Sequence, residues 1–148
     1  MKIAIASDHA GFGLKEEIVK FLKSKHIEPL DLGTYSEASV DYPDYAEKVA
    51  DAIITHKAEK GILVCGTGIG MSVSANKKRG IIAALVYSEY TAEMAAKHNM
   101  ANVITLGART MNKDDALKYV DIWIHTPFEG GRHEHRVKKV RDIESKKR

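Results

Sequence analysis

Gly61-Ile62-Leu63-Val64-Cys65-Gly66-Thr67-Gly68-Ile69-Gly70-Met71 decides how the chain folds. Residues 61–65 form an apolar run of strand length. They lack polar alternation, as a strand buried on both faces requires. Glycines at alternate positions follow, and the pattern then opens a helix. A strand that passes through a glycine loop into a helix belongs to an open α/β sheet, where ligands bind at the carboxyl ends of strands. Backbone amides without side chains at a helix start favour an anion.

Outward from this joint the alternation repeats. Ile3 to Ala6 reads as the first strand, and Phe12, Leu14, Ile18, Val19, Phe21 and Leu22 recur at helical steps. Glu28 to Leu32 reads as the second strand, stopped by Gly33. Tyr45, Ala46, Val49, Ala50, Ile53 and Ile54 mark a helix after Pro43. Ile81 to Val86 and Asn102 to Leu106 read as the fourth and fifth strands, with a helix from Ser88 to His98 between them. A further helix fits Asn112 to Ile124, capped by Asn112, with Ala116, Leu117, Val120, Trp123 and Ile124 as its buried stripe. Five strands with intervening helices predict a parallel sheet covered on both faces. The 148 residues suit one domain, 1–148, with no linker, repeat or low-complexity tract.

Composition narrows the function. Hydrophobic residues at 44% and charged residues at 29% exclude a disordered chain. Lys+Arg of 23 against Asp+Glu of 20 leaves a net charge of +3, weaker than a general nucleic-acid binder shows. The charged tail, Lys138 to Arg148, reads as a solvated helix end, with a nucleic-acid contact as the alternative. A single cysteine excludes an intrachain disulfide and a Cys-rich zinc site. Met1 to Asp8 is no signal peptide, and no apolar stretch approaches the ~20 residues that cross a bilayer. The expectation is a cytoplasmic protein with no membrane and no nucleic-acid partner.

The strand ends nominate the residues that could carry chemistry. Cys65 is either a small core hydrophobe or a thiolate beside a helix start, competent as base or nucleophile. The glycine loop has three readings. One is a dinucleotide fingerprint with Glu89 on the next strand end, although Met71 stands where that motif wants Gly or Ala. The second is an anion hole for a small substrate, and the third is a bare turn. Asp8-His9 follows the first strand, where Asp8 could equally cap the next helix. Gly107-Ala108-Arg109 follows the fifth. His98-Asn99 ends the helix before the fifth strand, where a histidine suits the helix dipole. In Gly130-Gly131-Arg132-His133-Glu134-His135-Arg136, the two arginines are four apart. On a helix they share one face and suit a phosphate. His133 and His135, two apart, would point apart, so no metal site is expected.

Five segments in order resemble the ribose/galactose isomerase family, and within it the B-type ribose-5-phosphate isomerases. They are Ile5-Ala6-Ser7-Asp8-His9-Ala10-Gly11, Asp41-Tyr42-Pro43-Asp44-Tyr45-Ala46, Cys65-Gly66-Thr67-Gly68-Ile69-Gly70, Ala95-Ala96-Lys97-His98-Asn99 and Gly131-Arg132-His133. The resemblance runs from Met1 to about Arg141. It implies a three-layer α/β/α sandwich, Rossmann-like, with a five-stranded parallel sheet in the order 2-1-3-5-4. It implies interconversion of ribose 5-phosphate and ribulose 5-phosphate, a step of the pentose phosphate pathway, through an enediolate and without metal or redox cofactor. It also implies a homodimer, or a dimer of dimers, with active sites between subunits.

By the same resemblance Cys65 is the proton acceptor, and His98 the proton donor that opens the sugar ring. Thr67 touches the oxygens being reprotonated. The amides of Gly66, Thr67, Gly68, Ile69 and Gly70 hold the oxyanion. Asp8 binds sugar hydroxyls, His9 lies near the phosphate, Asn99 contacts substrate and Tyr42 lines the ring. Arg132 and Arg136 grip the phosphate of a substrate bound mainly by the neighbouring chain. Some relatives carry a Glu base directly after the loop; Met71 at that position leaves Cys65 as the consistent base. Activity on allose 6-phosphate or galactose 6-phosphate, or a nucleotide-binding module, is the alternative.

Overall fold

The computed structural model describes residues 1–146. Its strands are β1 (Lys2–Ser7), β2 (Glu28–Asp31), β3 (Lys60–Cys65), β4 (Ala83–Leu85) and β5 (Val103–Gly107). Its helices are α1 (Phe12–Ser24), α2 (Tyr42–Ile54), α3 (Ile69–Ala75), α4 (Glu89–Lys97), α5 (Lys113–His125) and α6 (Arg132–Ser145). The strands pair in parallel in the order β2-β1-β3-β5-β4, as the resemblance implied. No helix among the described residues is long and apolar enough to cross a membrane.

Side-chain alternation along the central strands builds two cores. Ile3, Ile5, Ile62, Val64, Ile104 and Leu106 pack with the inner faces of α1, α4 and α5. Ala4, Ala6, Leu63 and Cys65 face the other way, against α2 and α3. Large residues therefore fill one layer and mostly small ones the other, so α2 and α3 sit close on the sheet. A Cβ built on Gly61 would meet Val49 of α2 at 2.4 Å. The Cys65 side chain is committed to the α2–α3 layer by its position in the pleat.

The fourth strand is shorter than its apolar run. Only Ala83–Leu85 pair, because β4 is the sheet edge and has β5 as its sole neighbour. Ala84 and Leu85 stay half-exposed, unlike a strand covered on both sides. The helix boundaries follow their capping chemistry. Ser88 caps α4 through a capping box with Thr91, and Asn112 accepts the Asp115 N–H at 2.8 Å to start α5.

The C-terminal helix α6 packs lightly. It buries only His133 and Val137 and leaves Val140 and Ile143 exposed. Its far end is tied down by Glu144. That carboxylate accepts the Gly80 N–H at 3.1 Å, and the Glu144 carbonyl accepts from Arg79 Nη2 at 2.9 Å. The charged tail is thus a docked helix end as far as the structure describes it; residues 147–148 lie outside the described residues.

Candidate active site

Cys65 closes β3 opposite Gly107, the last residue of β5. The two exit loops are laced together: the Cys65 carbonyl accepts from Ala108 N at 2.9 Å, and the Gly66 carbonyl from Arg109 N at 2.9 Å. Gly68 then turns the chain into α3 at φ +81°, with a built Cβ only 2.7 Å from Leu85 Cδ1 and 3.0 Å from the Leu106 backbone. A side chain at this position would meet both strain and a wall. The turn brings the Gly68 N–H onto Cys65 Sγ at 3.1 Å. Cys65 is 5% exposed, so its sulfur lies under the loop with an amide hydrogen aimed at it.

The other loop groups face outward. Thr67 is exposed, and its Oγ1 accepts from Ile69 N at 3.2 Å, which leaves the hydroxyl hydrogen to donate elsewhere. Gly70 lies in the first turn of α3, where an N–H has no intrahelical acceptor. A Cβ there would strike the Tyr42 ring at 2.5 Å, so Tyr42 packs directly on the loop. A Cβ on Gly66 would lie 3.2 Å from Arg109 Nη1, so a guanidinium stands over the loop's other end. Arg109 was visible in sequence only as a strand-end residue. Nothing in its neighbours marked it as a partner of the glycines.

Asp8 and His9 border the same mouth, since β1 is the neighbour of β3. Asp8 is buried, and its Oδ1 accepts the Gly11 N–H at 3.1 Å. That bond closes the turn ahead of α1, whose own N-cap is Gly11 and has no side-chain cap. His9 Nδ1 accepts from Val40 N at 3.2 Å. The neutral ring therefore carries its hydrogen on Nε2, available to an oxygen ligand. Glu89, the acid of the dinucleotide reading, heads α4 at the sheet edge with its carboxylate 3.8 Å from Lys118 Nζ.

His98, Asn99, Arg132 and Arg136 are gathered elsewhere. His98 is the C-cap of α4, just before the first residue of β5, whereas Cys65 is level with the last. The five residues of β5 separate these levels by about 13 Å. Around His98, a cavity of about 280 Å³ is lined by Ile82, Asn99, His133, Arg136, Val137 and Val140. The His98 and His133 rings stack at 3.8 Å with planes 10° apart. Glu129 Oε2 lies 3.4 Å from His98 Nε2 and 3.8 Å from His133 Nε2. His135 is exposed and His133 buried, as their spacing predicted. His98, Glu129 and His133 are the candidate metal ligands among the described residues. Parallel stacked rings, however, aim their nitrogen lone pairs side by side, whereas a tetrahedral ion needs them to converge.

The family model for ribose/galactose isomerases matches residues 3–140. The chain belongs to the ribose/galactose isomerase family. It is 42% identical over 146 residues to ribose-5-phosphate isomerase B of Escherichia coli, covering 99% of this chain and 98% of that one. The solved structure of ribose-5-phosphate isomerase B from Clostridium thermocellum superposes with a TM-score of 0.97 at 48% identity, covering 98% of each chain. The enzyme from Mycoplasma genitalium, solved with bound ribulose 5-phosphate, superposes with a TM-score of 0.94 at 44% identity, covering 99% of this chain and 97% of that one. Membership of this family makes the protein an isomerase enzyme.

Proposed function

We propose that the chain interconverts D-ribose 5-phosphate and D-ribulose 5-phosphate, with Cys65 as the base. The observation that carries this reading is the Gly68 N–H donated to Cys65 Sγ at 3.1 Å, within the glycine loop that leads into α3. A thiolate so placed removes the C2 proton of the open-chain aldose and returns it to C1. The electron pair left on C2 passes to the C1 oxygen, and the C2 hydroxyl proton then moves to that oxygen, so the charge stands on the C2 oxygen as C1 takes the proton from the thiol. The amides of Gly66, Thr67 and Gly70 and the Thr67 hydroxyl are the donors for these oxygens, each worth about 3 kcal/mol in a preorganised site, since the Gly68 and Ile69 amides are engaged within the loop. Asp8 accepts from sugar hydroxyls, and Tyr42 walls the chain of carbons. A thiol base works only where it stays reduced, which fits a cytoplasmic enzyme.

Ribose 5-phosphate is mostly ring-closed in water, so a proton donor must open the ring first. His98 is that donor in this reading, with Asn99 beside it. Arg132 and Arg136 hold the phosphate, joined by Arg109 and the Nε2–H of His9. Within one chain Cys65 and His98 stand at opposite ends of the sheet, so one site needs two copies. The exposed Val140 and Ile143 of α6, and Ile69 and Val73 of α3, supply apolar surface for such pairing near both clusters.

The test is ketose formation from ribose 5-phosphate with EDTA present, run beside allose 6-phosphate. Ketose from the pentose supports the reading; ketose from the hexose alone overturns the substrate. Shared sites are tested by mixing two inactive variants, Cys65→Ala and His98→Asn. At equal amounts half of the dimers are mixed, and each mixed dimer has one intact site of two. Activity should therefore recover to about a quarter of wild type. No recovery after subunit exchange would place both residues in one chain's site.

A further inference from the structure

We propose that His133 and Glu129 are positioning residues for His98: the two stacked imidazoles hold a single proton between them, and Glu129 keeps it on His98. The inference rests on the reading of His98 as the ring-opening acid.

The stack itself forbids a second proton. Rings 3.8 Å apart and 10° from parallel would bring two positive charges face to face. Of the two rings, His133 is the one that stays neutral. It is buried, and its Nε2 has no hydrogen-bond partner among the described residues. Burial lowers its pKa from the ordinary histidine value, and the charge on His98 adds to that. Glu129 pulls the other way, while Arg132 and Arg136 on the same helix push it down again. His98 is the more exposed ring, and its Nε2 is the nearer to the carboxylate, 3.4 Å against 3.8 Å. The end of α4, which His98 caps, also attracts positive charge.

Glu129 is delivered by the backbone. Its N–H donates to the Lys97 carbonyl at 3.0 Å and fastens the loop before α6 to the last turn of α4. A neutral His133 is then a flat wall that sets the plane of the His98 ring, and the carboxylate sets its tilt. This explains why an unpartnered, buried imidazole is present: its work is to be flat and uncharged.

Ribose 5-phosphate deuterated at C2 separates this role from a structural one. Ring opening precedes removal of the C2 proton, so slowing the opening masks the isotope effect on that proton. Glu129→Gln should slow ketose formation from ribose 5-phosphate about tenfold and shrink the C2 deuterium isotope effect relative to wild type. His133→Phe keeps the stacked ring without a proton and should retain forward turnover within about threefold. Histidine NMR of the wild-type protein should show His133 remaining neutral where an ordinary imidazole takes a proton. An undiminished isotope effect in a slowed Glu129→Gln, or protonation of His133, would overturn the inference. An inactive wild-type enzyme would instead overturn the functional reading, and the NMR titration would still decide the proton's place.

Discussion

Gly68 donates its backbone N–H to the Cys65 sulfur across 3.1 Å, so the residue that forces the turn also fixes where the sulfur lies. The proposed base and the loop are therefore one device. Cys65→Ala should lower turnover about 10²–10⁴-fold, the usual worth of a positioned base. Binding of a phosphorylated sugar, followed by calorimetry, should survive. Near-normal turnover in Cys65→Ala would remove the thiol from the reaction.

Gly68→Ala should cost about 1–3 kcal/mol of stability, because Ala is strained at φ +81° and its methyl meets Leu85 and the Leu106 backbone. Urea unfolding measures this. Unchanged stability would mean that the loop relaxes, and the Cys65–Gly68 bond would be lost with it.

The phosphate grip is separable from the proton chemistry. Arg132→Ala and Arg136→Ala should each raise KM far more for phosphorylated sugars than for free ones. A guanidinium–phosphate bond is worth about 1.5–3 kcal/mol, or roughly tenfold to a hundredfold. Equal effects on both sugar classes would end the phosphate assignment.

Lys15 of α1 is fully buried, with Nζ 2.8 Å from Asp31 of β2 and 2.8 Å from Glu16. Asp31→Ala leaves that ammonium underpaired and should destabilise by about 3–5 kcal/mol. Lys15→Met removes the buried charge and leaves carboxylates that water reaches, so it should cost much less. Urea midpoints of the two variants give the comparison, and equal losses would contradict it.

His133 makes stability depend on pH with a definite sign. Its folded pKa is lowered, mainly by burial and then by His98, so the unfolded chain binds the proton more readily. Its contribution is present above the ordinary imidazole value of about 6.5 and is lost as pH falls below it. The Tm should drop between pH 7.5 and 5.5, and drop less in His133→Phe. A larger drop in the variant would reverse the assignment.

Much of the fold was legible because its signals are local. Val64-Cys65 before Gly66-Thr67-Gly68, and Asn112 before the α5 stripe, each declare an element from a few neighbouring residues. Edge position is not local: Ile81 to Val86 reads as a strand buried on both faces, yet β4 spans three residues and pairs, among the described residues, only with β5. The strand-end rule found Asp8, His9 and the glycine loop. It could not find the Arg109 guanidinium over Gly66, nor Glu129 against His98, since both meetings depend on how separate loops return to one place. The Lys15–Asp31 pair joins a helix to a strand 16 positions away, and no periodicity marks it.

Because Cys65 and His98 stand at opposite ends of one sheet, a lone copy would hold both proposed reacting groups and close no circuit with them. Dilution alone should then silence the enzyme. Specific activity would fall with protein concentration as pairs come apart, and every folded copy would remain intact and ready for reassembly.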